Sequence, residues 1–138
     1  MPEIDVFVIG GGPAGLAAAL AARQKGFRVT LAEAARPPID KACGEGLMPD
    51  GMAALEALGL SRDPLEAYAF RGIRFLESGM QVEADFPHGR GWGVRRPILH
   101  QALVSAAERA GVSLRWGARV TAISPNAVTV DGERVETH

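Results

Sequence analysis

Three glycines constrain what this chain can become. Gly10, Gly12 and Gly15 follow the apolar run Val6-Phe7-Val8-Ile9 and open an alanine-rich segment from Leu16 to Ala22. Each answers a separate steric demand. Gly10 permits a tight turn off a strand, Gly12 lets the backbone approach a pyrophosphate with no Cβ between them, and Gly15 lets the helix pack closely on the strand. Pro13 suits the first helical turn, where its missing N–H removes no helical bond. Gly26 stops the helix, Arg28 to Ala32 supplies the next strand, and Glu33 stands 18 residues beyond Gly15. An acid at that place accepts hydrogen bonds from a ribose 2′-hydroxyl. Residues 4–33 therefore read as a βαβ unit for dinucleotide binding. The phosphates are expected at the helix start around Pro13 and Ala14, and the ribose beside Glu33 and Ala34. A carboxylate repels a 2′-phosphate, so Glu33 favours a free ribose; Arg36, close by, leaves the opposite preference open.

Composition narrows the partners. At 138 residues and 47% hydrophobic, the chain is long enough for one domain with a real core. A net charge of −1 with dispersed charges and no basic block argues against nucleic acid. No apolar run reaches the length of a membrane span. The N-terminus opens directly into a strand with no signal-type segment, and Cys43 is the single cysteine. That count excludes an internal disulfide framework and metal sites built on several thiolates, and it points to a reducing cytoplasm.

Beyond Glu33, Ala34 to Pro49 carries prolines and glycines that suit a surface or cofactor-facing loop. Asp50 is expected to cap a short helix through Leu58, with Met52, Leu55 and Leu58, or Ala54 and Leu58, facing inward and Gly59 ending it. Alternation from Phe70 to Phe86, with Ser78-Gly79 between the arms, predicts an antiparallel hairpin. Residues 87–94 read as a glycine-rich loop in which Trp92 packs or lines a substrate cavity. Pro97 opens a second long helix, with Leu99, Ala102, Leu103, Ala106, Ala107 and Ala110 at helical spacing, and Gly111 stops it. Val112 to Trp116 is a strand parallel to the first two, and residues 118–137 form a β-meander with turns at Ser124-Pro125-Asn126 and Asp131-Gly132. The fold class is thus α/β: a Rossmann-like unit in one domain, 1–138, with residues 34–94 inserted into the crossover and 118–137 as the meander.

The glycine turn, Glu33, the loop Lys41-Ala42-Cys43-Gly44-Glu45-Gly46-Leu47 and the segment Gly93-Val94-Arg95-Arg96-Pro97-Ile98-Leu99-His100-Gln101-Ala102-Leu103 carry a resemblance. From residue 4 to its end the chain resembles the amino-terminal part of FAD-dependent oxidoreductases of the p-hydroxybenzoate hydroxylase-like group, especially the geranylgeranyl reductase and monooxygenase branch. The resemblance implies that Gly10, Gly12 and Gly15 bind the FAD pyrophosphate and that Glu33 holds the adenosine ribose. It implies a flavin-nucleotide contact from Arg96, with Arg95 the nearer rival, and backbone contacts to adenine at Val120. The loop at Cys43, Gly44 and Gly46 would lie towards the flavin and substrate, where Cys43 is either a redox or substrate-facing thiol or a small apolar filler. His100 stands where relatives often carry an aspartate; His88 and His138 have no role.

In the complete enzyme the resemblance implies hydride transfer through FAD, with NAD(P)H as electron donor and a small isoprenoid or aromatic substrate, by reduction or by oxygenation. The family's later motifs lie beyond His138, so the chain alone is expected to hold FAD weakly and to be inactive, and no residue is assigned as catalytic acid or base. Two rival readings stay open. One is an NAD-binding module of a dehydrogenase, opposed by the long insertion and the meander; the other is a non-catalytic fragment that dimerises through open sheet edges.

Overall fold

A computed structural model describes residues 3–137; His138 lies outside them. Strand β1 (Val6–Ile9), helix α1 (Pro13–Gln24) and strand β2 (Val29–Glu33) form the expected βαβ unit, with β1 and β2 parallel and Val6 opposite Val29. Strand β8 (Ser113–Trp116) joins the free edge of β2 in parallel, giving the order β1-β2-β8. The register sets Glu33 beside Trp116 at the carboxyl end of the sheet, next to the glycine turn. In doubly wound sheets ligands sit at that end.

Period-two alternation gives the sheet two faces. Val6, Val8, Val29 and Leu31 point into one core with Leu16, Ala19 and Leu20 of α1 and with Leu99, Leu103 and Ala107 of α3 (Arg96–Arg109). Phe7 and Ala32 point the other way, into a second core with Ala118, Val120, Val128, Val130 and Val135. The meander supplies that second layer through β9 (Val120–Ser124), β10 (Ala127–Val130) and β11 (Glu133–Glu136). Asp131 and Gly132, both at positive φ, make the tight turn between β10 and β11.

The insertion is more ordered than its glycine content suggests. Three short strands, β3 (Gly46–Leu47), β4 (Tyr68–Phe70) and β7 (Gly91–Gly93), form an antiparallel sheet in the order β3-β7-β4. The segment expected as a loop around Trp92 is thus a central strand. Its Gly91 is dictated by packing, since a Cβ there would run into the Phe70 ring. Helix α2 (Pro49–Ala57) begins one residue before the expected cap: Met48 is the N-cap, Pro49 takes the first turn, and Asp50 lies inside it. Met52 and Leu55 are buried while Ala54 is exposed, so the first of the two expected inner faces holds. A 3-10 turn at Asp63–Leu65 buries Leu65, and Arg62 lies 4.9 Å over the Trp92 ring. The hairpin of β5 (Gly72–Glu77) and β6 (Met80–Asp85) has the expected pairing, Ile73 with Ala84 and Phe75 with Val82. It stands out from the rest, with Phe75, Leu76, Met80 and Val82 all 70–72% exposed.

Candidate functional site

The site is built at the carboxyl end of β1 and β2. Gly10 leaves β1 at φ +107°, open to glycine alone at low cost, and its N–H bonds the Ala32 carbonyl at 2.8 Å. Gly11 is buried, and a Cβ on it would strike the Trp116 ring and come within 2.8 Å of Glu33 Cβ. Gly12 is the N-cap of α1 and lies in ordinary extended backbone, with φ −76° and ψ 179°. Pro13 follows at the first helical position, then Ala14 and Gly15. No side chain caps α1 and its first turn carries no acid, so the positive end of the helix dipole stays open to an anion. At Gly15 a Cβ would overlap the Gly10 carbonyl oxygen at the turn and lie 3.4 Å from Val8 Cγ1 of the strand, on which the sequence expects the helix to pack closely.

Gly12 is the informative member of the set. Its φ suits any residue, and a Cβ on it would meet no atom of the protein within 4 Å. Neither backbone conformation nor internal packing asks for glycine here. Gly12 lies at a helix start, where the free N–H groups and the helix dipole favour an anion.

Glu33 closes the site. Its Oε2 accepts the Gly11 N–H at 2.8 Å and its Oε1 the Ala35 N–H, also at 2.8 Å, so the carboxylate faces the glycine turn. The N–H groups of Ala35 and Gly11 hold its carboxyl below the usual carboxylate range; burial opposes this, while Lys41 and the Ala34 N–H add to it. A lowered native pKa means that Glu33 stabilises the fold above the ordinary carboxylate range and loses that contribution as pH falls through the lowered value. In Glu33→Gln, chemical denaturation at neutral pH is therefore expected to show a loss of about 1 kcal/mol, after discounting charged hydrogen bonds for solvent screening. That gap is expected to close towards acid. A gap independent of pH would contradict it.

The other expected residues fall into two groups. The loop before β3 and the start of α3 come together: the Glu45 carbonyl accepts the Val94 N–H at 2.8 Å, and Glu45 Oε1 accepts the Arg96 N–H at 3.0 Å. Arg95 is the N-cap of α3 and Arg96 its first residue. Cys43, Gly44 and Gly46 are exposed, and the Cys43 sulfur takes the Glu45 N–H at 3.3 Å. Val120 packs in the second core, two residues beyond Ala118, whose N–H bonds the Glu33 carbonyl at 2.9 Å.

Sequence reasoning missed His100 and Trp116. His100 is 2% exposed, its Nε2 is 2.8 Å from the Gly11 carbonyl oxygen, and its ring meets Trp116 edge-on with centroids 6.0 Å apart. Gly117, at φ +70°, lies against Arg36: a Cβ there would come within 2.9–3.0 Å of the guanidinium, so Arg36 belongs to the rim of the site.

Residues 3–137 match the family model for an FAD binding domain. The chain belongs to the FAD binding domain family. Its cofactor is FAD, and the residues present suit it: an uncapped helix start, a glycine that packing does not require, and an acid whose carboxylate faces the glycine turn. Among relatives of this family, menaquinone reductase from Mycobacterium tuberculosis is 37% identical over 86% of this chain and 30% of its own length. Digeranylgeranylglycerophospholipid reductase 1 from Methanopyrus kandleri is 36% identical over 81% of this chain and 29% of its own length. Among solved structures, the tetrameric form of 2-methyl-3-hydroxypyridine-5-carboxylic acid oxygenase superposes with a TM-score of 0.87 at 28% identity, over 99% of this chain and 38% of that one. The chain thus spans about a third of the length of the curated relatives it matches. No helix among the described residues is long and apolar enough to cross a membrane.

Proposed function

We propose that the glycine turn, the amino end of α1 and Glu33 hold the ADP portion of FAD. Gly10, Gly12, Pro13, Ala14 and Gly15 surround the diphosphate, and Glu33, with Ala34 beside it, accepts from the adenosine ribose. Backbone groups at Val120 meet the adenine. Arg96 donates to the flavin nucleotide, and the loop at Cys43, Gly44 and Gly46 faces the flavin and substrate. The observation that carries this reading is Gly12, a glycine required neither by its backbone angles nor by its neighbours.

On this reading the chain is the FAD-binding part, residues 34–94 inserted, of an oxidoreductase acting on a small aromatic or isoprenoid molecule, with NAD(P)H as electron donor, in a reducing cytoplasm. When bound, FAD supplies the hydride chemistry; the residues here bind it, orient it and set the charge around its diphosphate. Titration with FAD, ADP and NAD tests the proposal. FAD and ADP are expected to bind more tightly than NAD, and preference for NAD would replace this reading with a nicotinamide-binding one. The exposed face of the β5–β6 hairpin favours a second proposal, a homodimer that covers it. Light scattering on the same sample decides that point.

A further inference from the structure

We infer that His100 is a positioning residue that aims the Gly12 N–H at the diphosphate; this rests on the diphosphate reading of the turn. A carbonyl oxygen can only accept, so the proton of the His100–Gly11 contact sits on Nε2 and the histidine donates. The Gly11 carbonyl and the Gly12 N–H belong to one planar trans peptide, in which C=O and N–H point in opposite directions. A buried donor that draws the carbonyl towards α3 therefore turns the N–H away from α3; a Cβ on Gly12 would meet no atom within 4 Å. That N–H has no acceptor among the described residues.

The preceding peptide is fixed as well, since the Gly11 N–H is taken by Glu33 Oε2. The Trp116 ring lies where a Gly11 side chain would be and bears edge-on against His100. Gly11 is thus held at its N–H by β2, at its carbonyl by α3 and at its Cα by β8. Three elements remote in sequence set one peptide plane before any ligand arrives. Preorganised donors bind an anion without reordering on contact, so the benefit is confined to ligands that carry phosphate.

Isothermal titration with ADP and with adenosine, which lacks phosphate, tests this in three variants. His100→Leu removes the donor at similar volume. His100→Gln places an amide N–H at the reach of Nε2, and His100→Asn carries the same amide one methylene short. ADP affinity is expected to fall about tenfold in His100→Leu and His100→Asn and to recover to within about threefold of wild type in His100→Gln, with adenosine binding all four proteins alike. Equal ADP affinity in wild type and His100→Leu overturns the inference. So does a matched loss for ADP and adenosine, the mark of a residue that only supports the fold. If His100→Leu does not fold, the Gln and Asn variants decide, and equal ADP affinity in those two overturns it. A wild-type protein that binds neither FAD nor ADP would instead refute the diphosphate reading, and the inference with it.

Discussion

Replacing Gly15 with alanine is expected to destabilise the protein by about 2–3 kcal/mol and to weaken FAD binding by distorting the turn. The added Cβ would overlap the Gly10 carbonyl oxygen, lie 3.0 Å from the Gly10 carbonyl carbon and 3.4 Å from Val8 Cγ1. A flexible side chain in its path could swing aside, but this obstacle is backbone. Gly10 is tied to the Ala32 carbonyl by a 2.8 Å hydrogen bond, so moving it disturbs the end of the β1–β2 ladder. Overpacking of this kind costs up to about 3 kcal/mol and more where nothing can yield, whereas the better helix propensity of alanine returns about 1 kcal/mol. The steric term wins. Chemical denaturation measures the difference, and unchanged stability would mean that helix and turn are not in close contact.

The βαβ unit was legible from sequence because each of its signals is local. The apolar run, the glycine spacing, Pro13, Gly26 and the acid at position 33 all lie within one short stretch, and each has a single steric or electrostatic reading. The β5–β6 hairpin and the meander were equally plain, since Ser78-Gly79 and Asp131-Gly132 adopt the positive φ angles their sequences suggest. Strands β4 and β7 were not legible. Gly91 and Gly93 read as loop residues, yet Gly91 makes room for Phe70 and Gly93 pairs with both Gly46 and Tyr68. A glycine that admits a neighbour and one that loosens a loop look alike in sequence.

The same limit applies to His100. Its partner is the Gly11 backbone carbonyl, 89 residues away, and a backbone acceptor leaves no side-chain signature to search for. Trp116 was visible only as a strand end; the parallel register of β8 on β2 brings it to the glycine turn. The helix start at Met48 shows a further limit. A proline at the first position outweighs an aspartate one residue later as a marker of where a helix begins.

Gly12→Ala carries the largest effect on function and the smallest on the fold. In φ, ψ and surroundings alanine fits: φ is −76° and a Cβ meets nothing within 4 Å. Reduced unfolded-state entropy favours alanine by about 0.4–1 kcal/mol, and its poorer N-cap preference takes back about 0.5–1 kcal/mol. Stability is therefore expected within about 1 kcal/mol of wild type. The methyl group nevertheless occupies the space through which a diphosphate would approach the helix start, and FAD and ADP affinity are expected to fall at least tenfold, or about 1.4 kcal/mol. The direct measurement is one titration of wild type and Gly12→Ala with FAD, run beside their denaturation curves. Stabilities within about 1 kcal/mol of each other, with FAD affinity lower by at least about tenfold, are the predicted result; undiminished FAD binding in a folded Gly12→Ala would contradict the placement of the diphosphate at this turn.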